Sequence, residues 1–161
     1  MTMRPDPDSG QRGGAAVGRL CDLPPVEALA VICLRLWCSG EDGRQRLSQD
    51  LRHMLDADQA DRLTESFGEL CSFCLTYGRR PLMHHQLACP CLGADESWFA
   101  NLLGAASDVA REDMVMLATT YLRTDAAFAL WPLAAQVGLG LRRATLRVGA
   151  SECRLPARSL H

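Results

Sequence analysis

The chain has 161 residues, 48% of them hydrophobic, which is enough for one domain that buries about two thirds of its unfolded surface without disulfides or a metal to rescue it. No apolar run reaches the ~18–20 residues of a membrane span and the first segment lacks a signal-type apolar block, so a cytosolic, bacterial-type protein without a membrane partner is expected. The net charge of −2 is uneven: residues 1–20 carry +1 and residues 139–161 carry +4, leaving residues 21–138 at −7, a sign that repels phosphate backbones and argues against nucleic acid as partner.

Residues 1–20 are rich in Pro, Gly and Asp and read as a disordered N-terminal segment. Order is expected from Cys21. In "LPPVEALAVICLRLWCSG", Pro25 suits a first helical turn and Gly40 a C-terminal stop, and apolar residues cover nearly every face between them, which predicts a central, largely buried helix. Leu47, Leu51, Met54 and Leu55 recur at helical spacing and predict an amphipathic second helix. A third helix starts at an N-cap Asp56 or Asp58 and closes at Gly78, with the stripe Leu63, Phe67, Leu70, Cys71, Cys74 on one face.

An irregular loop follows over 79–94, with Pro81 and Pro90, and then "DESWFANLLGAAS", where Asp95 and Glu96 suit the positive end of a helix dipole. "REDMVMLATTYL" predicts another helix, and "TDAAFALWPLAAQVGLGLRR" a last one capped by Thr124 and kinked or split by Pro132. No segment alternates with period two. The fold expected is all-α, a single-domain bundle of five or six helices over residues 21–143, with a basic tail at 144–161.

The chemistry sits in "CSFCLTYGRRPLMHHQLACPCLG", where four cysteines and two histidines form Cys-x2-Cys-x9-His-His-x3-Cys-x-Cys between Cys71 and Cys91. Cytosolic thiols stay reduced, so such a cluster reads as metal ligands, redox thiols or core residues before it reads as disulfides. Zinc takes tetrahedral sulfur and imidazole donors, and close pairs let one backbone turn supply two of them. Cys71 or Cys74 from the helix end, with His85, Cys89 and Cys91 from the loop, would staple the loop to the helix it leaves. The core set is Cys74, His85, Cys89 and Cys91, with Cys71 as replacement and His84 as a neighbour that one ion rarely uses together with His85. Set against this, Cys71 lies on an apolar stripe, where packing alone explains a cysteine.

Rival readings use the same residues. An iron–sulfur cluster would take Cys71, Cys74, Cys89 and Cys91, and a dithiol switch would oxidise them in pairs. Catalysis is not indicated, because the His-Glu-x2-His, Gly-x4-Gly-Lys and Gly-x-Ser-x-Gly patterns are absent and lysine does not occur at all. The function expected is a non-catalytic zinc protein, the ion fixing the 79–94 loop, acting through an unknown protein partner. The alternative is a metal- or redox-responsive regulator. Arg79, Arg80 and Trp98 have the composition of an interaction surface.

Overall fold

A computed structural model describes residues 12–152; residues 1–11 of the N-terminal segment, and Cys153, Arg154, Arg158 and His161 of the tail, lie outside the described part. The described residues form seven α-helices, one small sheet and two 3-10 turns, joined by irregular segments. The helices are α1 (Pro25–Cys38), α2 (Glu41–Met54), α3 (Ala57–Tyr77), α4 (Ala94–Ser107), α5 (Arg111–Tyr121), α6 (Thr124–Ala129) and α7 (Trp131–Glu152). The sheet pairs β1 (Ala16–Arg19) antiparallel with β2 (Cys91–Gly93). The fold is predominantly helical, and no described helix is long and apolar enough to cross a membrane.

The helix boundaries follow local chemistry. Pro25 occupies the first turn of α1, where its missing N–H costs nothing. Asp56 caps α3 by accepting from the Gln59 N–H at 2.9 Å. Gly40, the only glycine with positive φ among the described residues (φ 91), turns the chain sharply between α1 and α2. The last helical pattern is split rather than kinked: α6 ends at Ala129, and Pro132 stands in the first turn of α7, where proline is tolerated. Thr124 is the first residue of α6, and no side-chain cap forms there. The segment read as a tail from residue 144 continues α7 to Glu152.

The α3 stripe is buried as its spacing predicts, with Leu63, Phe67, Leu70, Cys71 and Cys74 each no more than 4% exposed. Phe67 meets Phe99 of α4 edge to face, centroids 5.9 Å apart. The centre of the bundle belongs to α4 as much as to α1, since α4 packs against α1, α5 and α7. Its backbone approaches α7 so closely at Gly138 that an added Cβ would lie 2.6 Å from the Ser107 nitrogen.

Two findings depart from the sequence reading, and both position the site. Residues 12–20 are not a featureless lead-in: they form a 3-10 turn at Arg12–Gly14, then β1, which pairs across the 79–94 loop as Ala16 with Gly93, Gly18 with Leu92 and Arg19 with Cys91. A bulge between Ala16 and Gly18 leaves Val17 pointing to solvent, so three- and four-residue strands carry no alternation that a sequence pattern could reveal. The second departure is a charge inside the core. Arg35, in the last turn of α1, is fully buried.

Candidate functional site: a thiol and imidazole loop held by two ion pairs

A guanidinium can be dried only if nearly all of its donors find acceptors. Arg35 meets that condition. Its Nε donates to Glu96 Oε1 at 2.7 Å and one terminal nitrogen to Glu96 Oε2 at 2.9 Å, and the terminal nitrogens also reach the carbonyls of Cys89 at 2.7 Å and Cys91 at 2.6 Å. Glu96, equally buried, accepts in turn from the backbone N–H of His85 and of Gly93, both at 2.9 Å. The Gly93 bond is the back-reaching half of a capping box at the start of α4. Burial alone would push the Glu96 carboxyl up, but the Arg35 guanidinium and the two N–H donors outweigh it and hold it below the usual carboxylate range.

The neighbouring acid repeats the arrangement on the other side of the loop. Asp95, 4% exposed at its side chain, is gripped by both terminal nitrogens of Arg80 and accepts from the Met83 N–H at 2.8 Å. Arg80 also lies over the Tyr121 ring, whose hydroxyl donates to the Arg80 carbonyl at 2.5 Å. Asp95 and Glu96 therefore do more than complement a helix dipole. Together with β1 they fix the loop from residue 80 to 93.

On that frame three of the expected ligands come together. His85 Nδ1 stands 3.4 Å from Cys89 Sγ, and its Nε2 stands 2.7 Å from the Gly14 carbonyl. A carbonyl only accepts, so Nε2 carries the hydrogen and Nδ1 faces the sulfur. Hydrogen bonding to His85, then to the Cys91 backbone N–H and thiol, lowers the Cys89 pKa, while the Cys89 and Gly14 hydrogen bonds raise that of His85. The pair thus leans toward thiolate and imidazolium. Cys89, Cys91 and His85 are partly exposed, and a groove of about 730 Å³ lined by Arg12, Gly14, Met83, His84, His85 and Cys89 opens onto His85 and Cys89.

Cys71 and Cys74 are placed elsewhere. Both are 3% exposed in the core, on a small cavity with Trp37, Cys38, Leu82 and Phe99, and burial raises the thiol pKa of each, that of Cys74 to about 12. Cys71 interacts electrostatically with Cys74, Cys38, Cys33 and Arg44, and Cys74 with Cys71 and Tyr121, whereas Cys89 interacts with His85 and Arg35. Helix periodicity puts them on an inward stripe, and burial in the bundle keeps them there, beside Leu82 of the loop and without a contact to His85, Cys89 or Cys91 among the described hydrogen bonds. The four-donor set Cys74, His85, Cys89 and Cys91 is not assembled, and among the described residues no group of three or more His, Cys, Asp or Glu is placed to hold a metal ion. The staple across the loop is a pair of salt bridges, Arg35–Glu96 and Arg80–Asp95.

Of the residues read as an interaction surface, Arg79 is exposed, Arg80 is engaged with Asp95, and Trp98 packs inward. The Trp98 ring stacks on Tyr121 at 4.5 Å and its Nε1 donates to the Leu117 carbonyl at 2.8 Å. Arg35, Glu96 as its partner, and Gly14 carry no motif that marks them in the sequence. One signal for the first was present: an arginine in "VICLRLW", apolar on every side, has no solvent face and must find a carboxylate.

The fold and the loop together define a class, a predominantly helical protein with a histidine–cysteine pair on a salt-bridged loop. Nothing narrows it further by likeness, since no family model, curated protein or solved structure matches this chain.

Proposed function

We propose that the chain is a non-catalytic zinc-binding protein of the cytoplasm whose loop site, His85, Cys89 and Cys91, takes one divalent ion and leaves a fourth position to water or to a donor from a protein partner. The observation that carries this reading is the 3.4 Å separation of His85 Nδ1 and Cys89 Sγ. With Zn–N near 2.05 Å, Zn–S near 2.3 Å and a tetrahedral angle, an imidazole nitrogen and a thiolate on one zinc lie about 3.6 Å apart. Cys91, two residues on in the same loop, would be the third donor. Because Glu96 and Asp95 are both committed to arginines, neither is free to act as a general base beside the ion, which favours a binding role over hydrolysis. With salt bridges already fixing the loop, the ion serves to present a charged, partner-sensitive surface in the groove.

The test is zinc stoichiometry and affinity by competition with a chromophoric chelator. Wild type is expected to bind one zinc, Cys71→Ala to bind it equally, and Cys89→Ser/Cys91→Ser to lose it. Full metal content in the double variant would overturn the assignment.

The lowered thiol of Cys89, beside the Cys91 thiol, favours one second reading, a redox switch. Two thiols and one peroxide would give a Cys89–Cys91 disulfide and two waters. Loss of two hydrogens from the 89–91 peptide on peroxide treatment supports it; inert thiols would exclude it.

A further inference from the structure

We propose that the cleft between α3 and α7 binds a small phosphate-type oxyanion, held by Arg62 and Arg143 beside the Gln59 carboxamide. The cleft shares no residue with the loop around His85, and needs neither its thiols nor a metal. Helix geometry builds it. Gln59, Arg62 and Ser66 stand at i, i+3 and i+7 on α3, and Gln136, Gly140 and Arg143 at i, i+4 and i+7 on α7, so each set shares a face and the two faces line one cavity of about 80 Å³. Gly140 closes it on one side, since a Cβ there would fall 2.7 Å from Leu63 Cδ1. Sites for drug-sized molecules run to roughly 300–1,000 Å³, so what this cavity can enclose is an ion or a single functional group.

Two observations give the cavity its ligand chemistry. Neither the Arg62 nor the Arg143 guanidinium has a hydrogen bond or ion pair among the described residues, and no described carboxylate lines the cavity, whereas Arg142 and Arg147 on the same helix pair with Asp108 and Asp56. Two unpaired cations on one cavity repel, and an oxyanion between them removes that cost while accepting from both planar forks. The second observation is Gln59 Oε1, which is buried and has no donor among the described residues. Ser66 does not supply one, because its hydroxyl donates to the Arg62 and Leu63 carbonyls. A buried acceptor left unpaired costs stability unless a ligand brings the hydrogen. Hydrogen phosphate answers both demands, with charged oxygens for the arginines and an O–H for Gln59. The cleft also lies where positive charge gathers, since residues 139–161 carry +4.

The test is titration of inorganic phosphate into the metal-free full chain at ionic strength held constant with chloride, followed by phosphorus NMR line width and by Tm. Wild type is expected to show a saturable rise in Tm with phosphate. Arg62→Gln and Arg143→Gln, both at exposed positions, should keep the fold and each weaken phosphate about tenfold, the loss of a charge-assisted hydrogen bond, while Arg111→Gln on α5 should match wild type. Gln59→Leu should melt no lower than wild type without phosphate, because the unpaired acceptor is gone, and yet gain less when phosphate is added. A Gln59→Leu chain that gains as much as wild type, or sulfate binding as tightly as phosphate although it has no O–H to give at neutral pH, would overturn the part assigned to Gln59. No phosphate effect beyond that of chloride, or an effect that survives in the Arg62→Gln/Arg143→Gln double variant, would overturn the site.

Discussion

Arg35→Met removes the guanidinium from a site where both partners of the ion pair are 0% exposed. Methionine fills most of the volume, so the loss is electrostatic. The Glu96 carboxylate is left dry and unpaired, and breaking a buried pair by removing one partner costs about 3–5 kcal/mol. The carbonyls of Cys89 and Cys91 lose their donors too, at about 1–3 kcal/mol each if they stay dry, although opening of the loop to water offsets part of that. A loss of about 4 kcal/mol is expected, a large share of the ~5–15 kcal/mol that holds a domain together. At roughly 2–4 °C per kcal/mol for a chain of this size, Tm should fall by about 8–16 °C.

Urea denaturation followed by circular dichroism measures this, and Glu96→Gln completes the cycle. Glutamine keeps an acceptor for the His85 or Gly93 N–H while removing the charge, so the double variant should be clearly less destabilised than the two losses added. A loss under about 1 kcal/mol for Arg35→Met, or strictly additive losses, would refute the claim that a dry ion pair holds the loop.

Alkali should destabilise the fold. Burial, helped by the Asp50 charge, raises the Cys33 thiol to about 12, and burial, helped by Cys74 and Asp95, raises the Tyr121 hydroxyl to about 12. In the unfolded chain these groups ionise near ~8.5 and ~10. Their contribution is present below the unfolded values and is lost as pH rises toward the folded ones, at up to about 1.4 kcal/mol per pH unit for each group; flat stability from pH 8 to 11 would contradict it. Limiting iodoacetamide on metal-free native protein should modify Cys89 well before Cys33, Cys71 or Cys74, read by peptide mass mapping, because three of these thiols are buried and one is held toward thiolate. Val109 is 60% exposed with φ 59, so Val109→Asn should stabilise by about 1 kcal/mol in the same denaturation assay, since a β-branched residue is strained there and asparagine is not. Gly138→Ala should cost about 1–3 kcal/mol by pushing α7 off α4, and an unchanged melting curve would mean the two helices can part without loss.

Periodicity and end signals made most of the helical fold legible. The α3 stripe, the Asp56 cap, the Pro25 start and the break at Pro132 depend on residues within one or two turns of each other, and helix geometry turns such spacing directly into a face or an end. The same locality limits the site. His85 and Cys89, four residues apart, meet as their spacing allows, and Cys91 follows from the same loop.

Cys71 and Cys74 also met each other across one helical turn, but whether a helix face looks toward the donors of a loop or into a core depends on what covers it, and α1, α4 and the apolar Leu82 of the loop cover this one. Arg35 and Glu96 are 61 residues apart, and Gly14 and His85 are 71 apart. Charges and carbonyls find such partners only when the packed bundle brings their backbones together, because dry surroundings make an unpaired charge intolerable and a remote carboxylate the nearest remedy. The sequence by itself determined the helices and the chemical character of the loop. The tertiary structure alone decided which cysteines became core, which remained reachable, and which distant groups hold them.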